Sequence, residues 1–192
     1  NAPCCLILGD NLLHGEGFEK LLRAANEKTM NGATVFGYKV KDPERYGVVT
    51  FDKNAKAIAL EEKPEKPTSS YAVPGIYFYD KRAPQLAKLI APSARGELEI
   101  TDLNRLYLLE GDLRVETIPE SVAWFDTGTY DSLLEASLYV QHHQKNNNTP
   151  IANLESIAHH YGYITNEALK ESAKKFSKTS YGKHLEKVAE RK

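Results

Sequence analysis

The chain has 192 residues, 41% of them apolar and 27% charged, with 25 Lys and Arg against 26 Asp and Glu. A chain of this length buries about 70% of its unfolded surface, which excludes a mini-protein held together by disulfides or a structural metal. The net charge of −1 excludes the broad positive field of a nucleic-acid binder. The longest apolar run, Cys4 to Leu8, falls far short of the roughly 20 residues that span a bilayer, so neither nucleic acid nor membrane is expected as a partner. Cys4 and Cys5 are the only cysteines and are adjacent, a poor arrangement for a disulfide or a zinc knuckle, which favours a reducing, cytoplasmic setting. The first residue is Asn1 and no basic segment precedes the apolar run, so the chain is expected to start in mid-protein.

Cys4 to Leu8 followed by Gly9-Asp10-Asn11 reads as a strand apolar on both faces, the pattern of a central parallel strand. Phe18, Leu21, Leu22 and Ala25 share one side of a short amphipathic helix. Ala33 to Val40 and Tyr46 to Phe51 read as strands on either side of the Asp42-Pro43 break. Asp52-Lys53-Asn54 forms a turn before a strand at Ala57 to Leu60. After the Pro64 to Pro67 loop come a strand from Gly75 to Tyr79 and a helix around Gln85 to Ile90. A helix from Thr101 ends at Gly111, and strands follow at Leu113 to Ile118 and Val122 to Phe125. Asp126-Thr127-Gly128-Thr129 then leads into a long helix beginning near Leu133, the order of a ligand-facing sheet edge. Residues 1–144 and 145–192 are expected to be separate parts, the second a helical extension. Residues 165–192 carry +4 and the preceding residues −5. That basic tail offers either a surface for a partner subunit or phosphate, or simply a solvated helical face.

Asp10 and Asp126 each end a predicted strand, where two carboxylates suit a hard cation such as magnesium; the alternative is a helix cap or local turn bond. Glu61-Glu62-Lys63-Pro64 can offer a phosphate a point charge at Lys63 and sugar hydroxyls an acceptor at Glu62, or form a surface ion cluster. Arg95 reads as an anion fork or an exposed salt bridge. The adjacent pairs His142-His143 and His159-His160 lack the i, i+4 spacing of a zinc helix. No Gly-x-Ser-x-Gly elbow or phosphate-cradling glycine loop occurs.

Six blocks resemble the sugar-phosphate nucleotidyltransferase family in order and spacing: Leu8-Gly9-Asp10-Asn11, Asp42 to Val49, Leu60 to Pro64, Tyr71 to Tyr79, Pro92 to Asp102, and Ala123 to Thr129. The resemblance implies a Rossmann-like mixed, mostly parallel α/β sheet flanked by helices, with its N-terminal strands missing and a C-terminal helical extension. It implies transfer of a thymidylyl group from dTTP to glucose 1-phosphate, giving dTDP-glucose and pyrophosphate on the way to dTDP-rhamnose. A uridylyl-transferring relative, or a non-catalytic sugar-nucleotide sensor or interaction subunit, is the alternative. By the same resemblance Asp10 and Asp126 hold Mg2+, Lys63 and Arg95 bind the sugar phosphate, and Glu62 accepts from glucose hydroxyls. Tyr46, Gly47, Val73 and Trp124 complete the substrate site, and a homotetramer is the expected assembly. The family's Gly-x-Gly-Thr-Arg-Leu segment, which carries the triphosphate cradle, does not occur in this sequence, so this chain alone is expected to be inactive. The arginines of the family's second, regulatory nucleotide site are also not matched, Glu120-Ser121 and His160 standing in their places.

Overall fold

A computed structural model describes residues 2–191, which form two compact units divided between Leu133 and Leu134. The first unit begins with β1 (Cys4–Ile7), β2 (Asn11–Gly15), α1 (Phe18–Lys28) and β3 (Ala33–Lys39). A one-turn 3-10 helix, Pro43–Arg45, precedes β4 (Gly47–Phe51), β5 (Ala57–Glu62), β6 (Tyr71–Ala72) and β7 (Ile76–Tyr79). Then come α2 (Ala83–Leu86), α3 (Ile100–Leu109), β8 (Leu113–Thr117), β9 (Val122–Asp126) and the start of α4 (Tyr130–Asn147). The second unit holds the rest of α4 with α5 (Leu154–His160), α6 (Asn166–Lys175) and α7 (Ser180–Glu190). Among the described residues no helix is long and apolar enough to cross a membrane, and both cysteines are free.

A seven-stranded sheet runs β1-β7-β3-β6-β4-β5, with β8 added to the other edge of β3. A mixed α/β sheet flanked by helices is thus as expected, but its strand directions are not. Of the seven strand pairings among the described residues, only β3 with β8 is parallel. β1 pairs antiparallel with β7, and all four of its residues are exposed, so it is not a central parallel strand flanked on both sides. Burial on both faces falls instead to β7 and to most of β3. Tyr77 and Tyr79 face a core with Val35, Leu103 and Tyr107, whereas Ile76 and Phe78 face one with Ala25, Phe36 and Val122. An apolar run shows that a strand tolerates burial on both faces; which strand obtains neighbours depends on distant segments.

The Asp52 turn forms as read: its carboxylate accepts from the N–H groups of Asn54 and Lys56 at 2.8 and 2.9 Å. The helix expected at Gln85 to Ile90 is instead the short α2, with Pro84 in its first turn, where the fixed φ and missing N–H cost nothing. Pairing between β2 and β9, which the local sequence did not suggest, creates a separate two-stranded ribbon.

A network anchors α2 and α3 to the sheet. Arg82 bridges Asp80, Glu110 and Asp112 at 2.7–2.8 Å, and Asp80 also accepts from Tyr107 Oη at 2.9 Å and Gly32 N–H at 2.7 Å. In the helical unit, Leu169, Ala173, Leu185 and Ala189 form the core. Asn153, Thr165 and Thr179 cap α5, α6 and α7 with their side-chain oxygens.

Candidate functional site

Two constructions in the first unit meet at one cleft. The first is the β4–β5 hairpin, whose register sets Gly47 opposite Glu62 and brings the Lys63 N–H to Tyr46 O at 3.0 Å. Beside it, Val73 N–H donates to Gly47 O at 2.8 Å. α3 closes this wall: Arg105 donates twice to Leu60 O, and the Thr101 hydroxyl donates to Glu62 Oε2 at 2.5 Å. One oxygen of Glu62 is thus fixed while the carboxylate still lines the cleft. A Cβ on Gly47 would stand 3.0 Å from Thr101 Oγ1 and 3.3 Å from Glu62 Oε2, so glycine keeps this wall open. Lys63 adopts a left-handed backbone at φ 42°, a strain of order 1–3 kcal/mol for a non-glycine residue. The surrounding structure holds it there, and the cationic side chain lines the cleft.

The second construction is the ribbon. Its register sets Asn11 opposite Asp126, while Asp10 O accepts both the N–H and hydroxyl of Thr127 at 2.8 and 2.9 Å. The two aspartates are thereby carried to the same end of the ribbon from opposite ends of this unit's sequence. Asn11 ties them to the sheet. Its Oδ1 accepts from Trp124 Nε1 at 2.7 Å and Gly75 N–H at 2.9 Å, and its Nδ2 donates to Asp10 Oδ1 at 2.9 Å. The Trp124 ring packs against Tyr46 and Tyr38, with centroids 5.0 and 5.5 Å away.

The cleft between them, about 210 Å³, is lined by Asp10, Tyr46, Gly47, Glu62, Lys63, Val73, Trp124 and Asp126. Every residue expected at the site is therefore gathered there except Arg95. Its guanidinium sits beside the wall, bonded to Glu99 at 2.8 Å, with Glu97 at 3.4 Å and Glu62 at 3.6 Å. Glu99 is held below the usual carboxylate range by hydrogen bonds from Arg95 and then Ser93. Sequence reasoning missed Asn11, Thr101, Arg45 and Tyr77 as cleft residues. Burial, reinforced by the charges of Glu62 and Asp10, raises Tyr77 and keeps its phenol protonated; burial likewise raises Tyr46.

Asp10 and Asp126 offer only carboxylate oxygen, the donor type a hard divalent cation prefers. No group of three or more His, Cys, Asp or Glu suited to a metal occurs among the described residues. Two carboxylates suit a divalent ion that completes its shell with water and substrate oxygens. The histidine pairs lie outside the cleft.

A cleft beside a mixed sheet that gathers two carboxylates suited to a metal, a third acid, a lysine and the tilted ring pair of Tyr46 and Trp124 describes a nucleotidyl transferase. The family profile of that description matches residues 1–143, and the chain belongs to this family. Among its relatives, a glucose-1-phosphate thymidylyltransferase of Neisseria gonorrhoeae is 52% identical over 185 residues, covering 96% of this chain and 64% of the relative. One from Xanthomonas campestris is 50% identical over 189 residues, covering 98% of this chain and 64% of the relative. This chain thus spans about 64% of the length of these curated relatives. A solved structure from Bacillus anthracis, described as a proposed glucose-1-phosphate thymidylyltransferase in complex with a sucrose, is 42% identical, with a TM-score of 0.62 over 72% of this chain and 55% of that one. A UDP-glucose pyrophosphorylase complexed with UDP-glucose shares the fold, with a TM-score of 0.65 at 20% identity over 76% of this chain and 57% of that one.

Proposed function

We propose that this chain is the sugar-phosphate-binding and metal-binding part of a cytoplasmic glucose-1-phosphate thymidylyltransferase, which makes dTDP-glucose and pyrophosphate from dTTP and glucose 1-phosphate. The observation that carries this reading is the convergence of Asp10, Glu62, Lys63, Trp124 and Asp126 on one cleft, in a chain about half identical to thymidylyltransferases. An oxygen of the sugar's phosphate attacks the α-phosphorus of dTTP, and the new P–O bond forms as the bond to pyrophosphate breaks. Lys63 holds the sugar phosphate as a compact charge, joined by Arg95 once a phosphate replaces one of its carboxylate partners. Glu62, fixed through Thr101, accepts from glucose hydroxyls, Gly47 and Val73 let the sugar approach the backbone, and Tyr46 and Trp124 cover its face. Members of this family use a divalent cation; here Asp10 and Asp126 would hold Mg2+. When bound, the ion neutralises charge on the reacting phosphates.

Assembly into a homo-oligomer is part of the proposal, supported by the exposed Leu134 and Leu138 of α4. The triphosphate cradle belongs to a Gly-rich segment not found in this sequence, and its loss removes positioning and charge stabilisation of the transition state. The chain alone is accordingly proposed to bind glucose 1-phosphate without turnover. Pyrophosphate release with dTTP, glucose 1-phosphate and Mg2+ tests the reading, using this chain and a version extended by the Gly-rich segment. Activity confined to the extended version, and abolished there by Asp126→Asn, is expected; an inactive extended version overturns the assignment.

A further inference from the structure

The second unit contains a solvent-open cavity of about 590 Å³, its three lysines exposed, and all its lining residues lie within that unit. This is within the roughly 300–1,000 Å³ of small-molecule sites. Gln144 and Lys145 contribute from the last turns of α4, Asn148 from the following loop, and Lys183, His184 and Lys187 from α7. The other lining residues are uncharged, and no Asp or Glu is among them. None of the three lysines forms an ion pair among the described residues. Burial first, and after it the positive charges of Arg191 and Lys187, lower the pKa of His184. The carbonyl end of α4 opposes the positive charge of the lysines by about half a charge, and Lys145 sits in that last turn to offset it.

We infer that this cavity binds a small anion carrying two or more phosphoryl groups, at a site separate from the catalytic cleft. Three lysines at separate points suit several dispersed phosphoryl oxygens better than one planar carboxylate, which favours an arginine fork. The Gln144 and Asn148 amides add neutral donors. This inference does not depend on the activity proposed above.

Calorimetric titration of the whole chain with inorganic pyrophosphate and tripolyphosphate at low ionic strength tests it. One saturable site is expected, tighter for tripolyphosphate. Charge reversal by K183E together with K187E should weaken it at least tenfold, whereas K174E together with K175E, the same charge change in the last turn of α6, should change it less than twofold. Asp10→Asn and Lys63→Ala should leave the site intact, which separates it from the cleft. Circular dichroism checks that each variant stays folded. The inference is overturned by absence of saturable binding, by equal weakening in both reversals, by loss in the cleft variants, or by binding confined to nucleic acid or anionic vesicles.

Discussion

Asn11→Ala removes one side chain that joins three distant segments, so its cost can be worked from the bonds it makes. The substitution strands two donors: the Gly75 N–H, 64 residues away and buried, and the Trp124 indole N–H, 113 residues away and half-buried. A buried donor left without a partner costs about 1–3 kcal/mol. With some relief from water at the indole, the expected destabilisation is about 2–4 kcal/mol in urea unfolding. Trp124 is the only tryptophan, so its emission should also change in the folded state as the indole loses its acceptor. Asn11→Asp supplies the control: it keeps both acceptor contacts, loses the donor to Asp10 and places a second carboxylate beside it. That variant should keep the wild-type emission while altering Mn2+ affinity. A loss below about 0.5 kcal/mol in Asn11→Ala, with unchanged emission, would refute the claim that this side chain joins ribbon to sheet.

Other perturbations test other parts of the argument. Burial pushes the Asp80 carboxyl up, but the N–H groups of Gly32 and Arg82, the Arg82 guanidinium and the Tyr107 hydroxyl together hold it below the usual range. A lowered folded-state pKa contributes stability above the unfolded value near 3.9 that disappears as pH falls through the folded value. Asp80→Asn should therefore destabilise the protein at neutral pH and flatten its acid-unfolding profile; an unaltered profile would contradict this. Leu169→Ala, at a fully buried position of the helical unit, should cost about 2–5 kcal/mol, read as a lowered thermal midpoint. Gly47→Ala sets a methyl against Thr101 and Glu62 and should weaken glucose 1-phosphate binding several-fold by calorimetry, with little change in melting temperature.

Much of the fold was legible where the determinants were local. The Asp52 turn, the strands at Ala33, Ala57 and Leu113, and the helix from Thr101 follow from turn chemistry and apolar spacing. β1 and β7 show where that reading ends. Both are short apolar runs, yet Cys4–Ile7 is exposed and Ile76–Tyr79 buried on both faces, because strand neighbours are supplied by other parts of the chain. β2 escaped notice because Leu12-Leu13-His14 does not alternate, and its pairing comes from β9, far along the chain. Site residues with charge, such as Lys63 and Asp126, could be proposed from motif spacing. Asn11 could not be given its role, since its neighbours along the chain do not suggest bonds to Gly75 and Trp124. Arg95, read as either an anion fork or an exposed salt bridge, is engaged by three acids, and only the folded chain displays that set of partners.

The ribbon has a thermodynamic consequence of its own. Asp10 and Thr127, 117 residues apart, are joined there by two hydrogen bonds to a single carbonyl. Any cation held by both Asp10 and Asp126 would act on the chain as a reversible cross-link closing nearly the whole first unit into a loop. It would stabilise the folded state by RT ln(1 + [ion]/Kd), so that the melting temperature becomes a gauge of cation concentration, independent of any chemistry performed in the cleft.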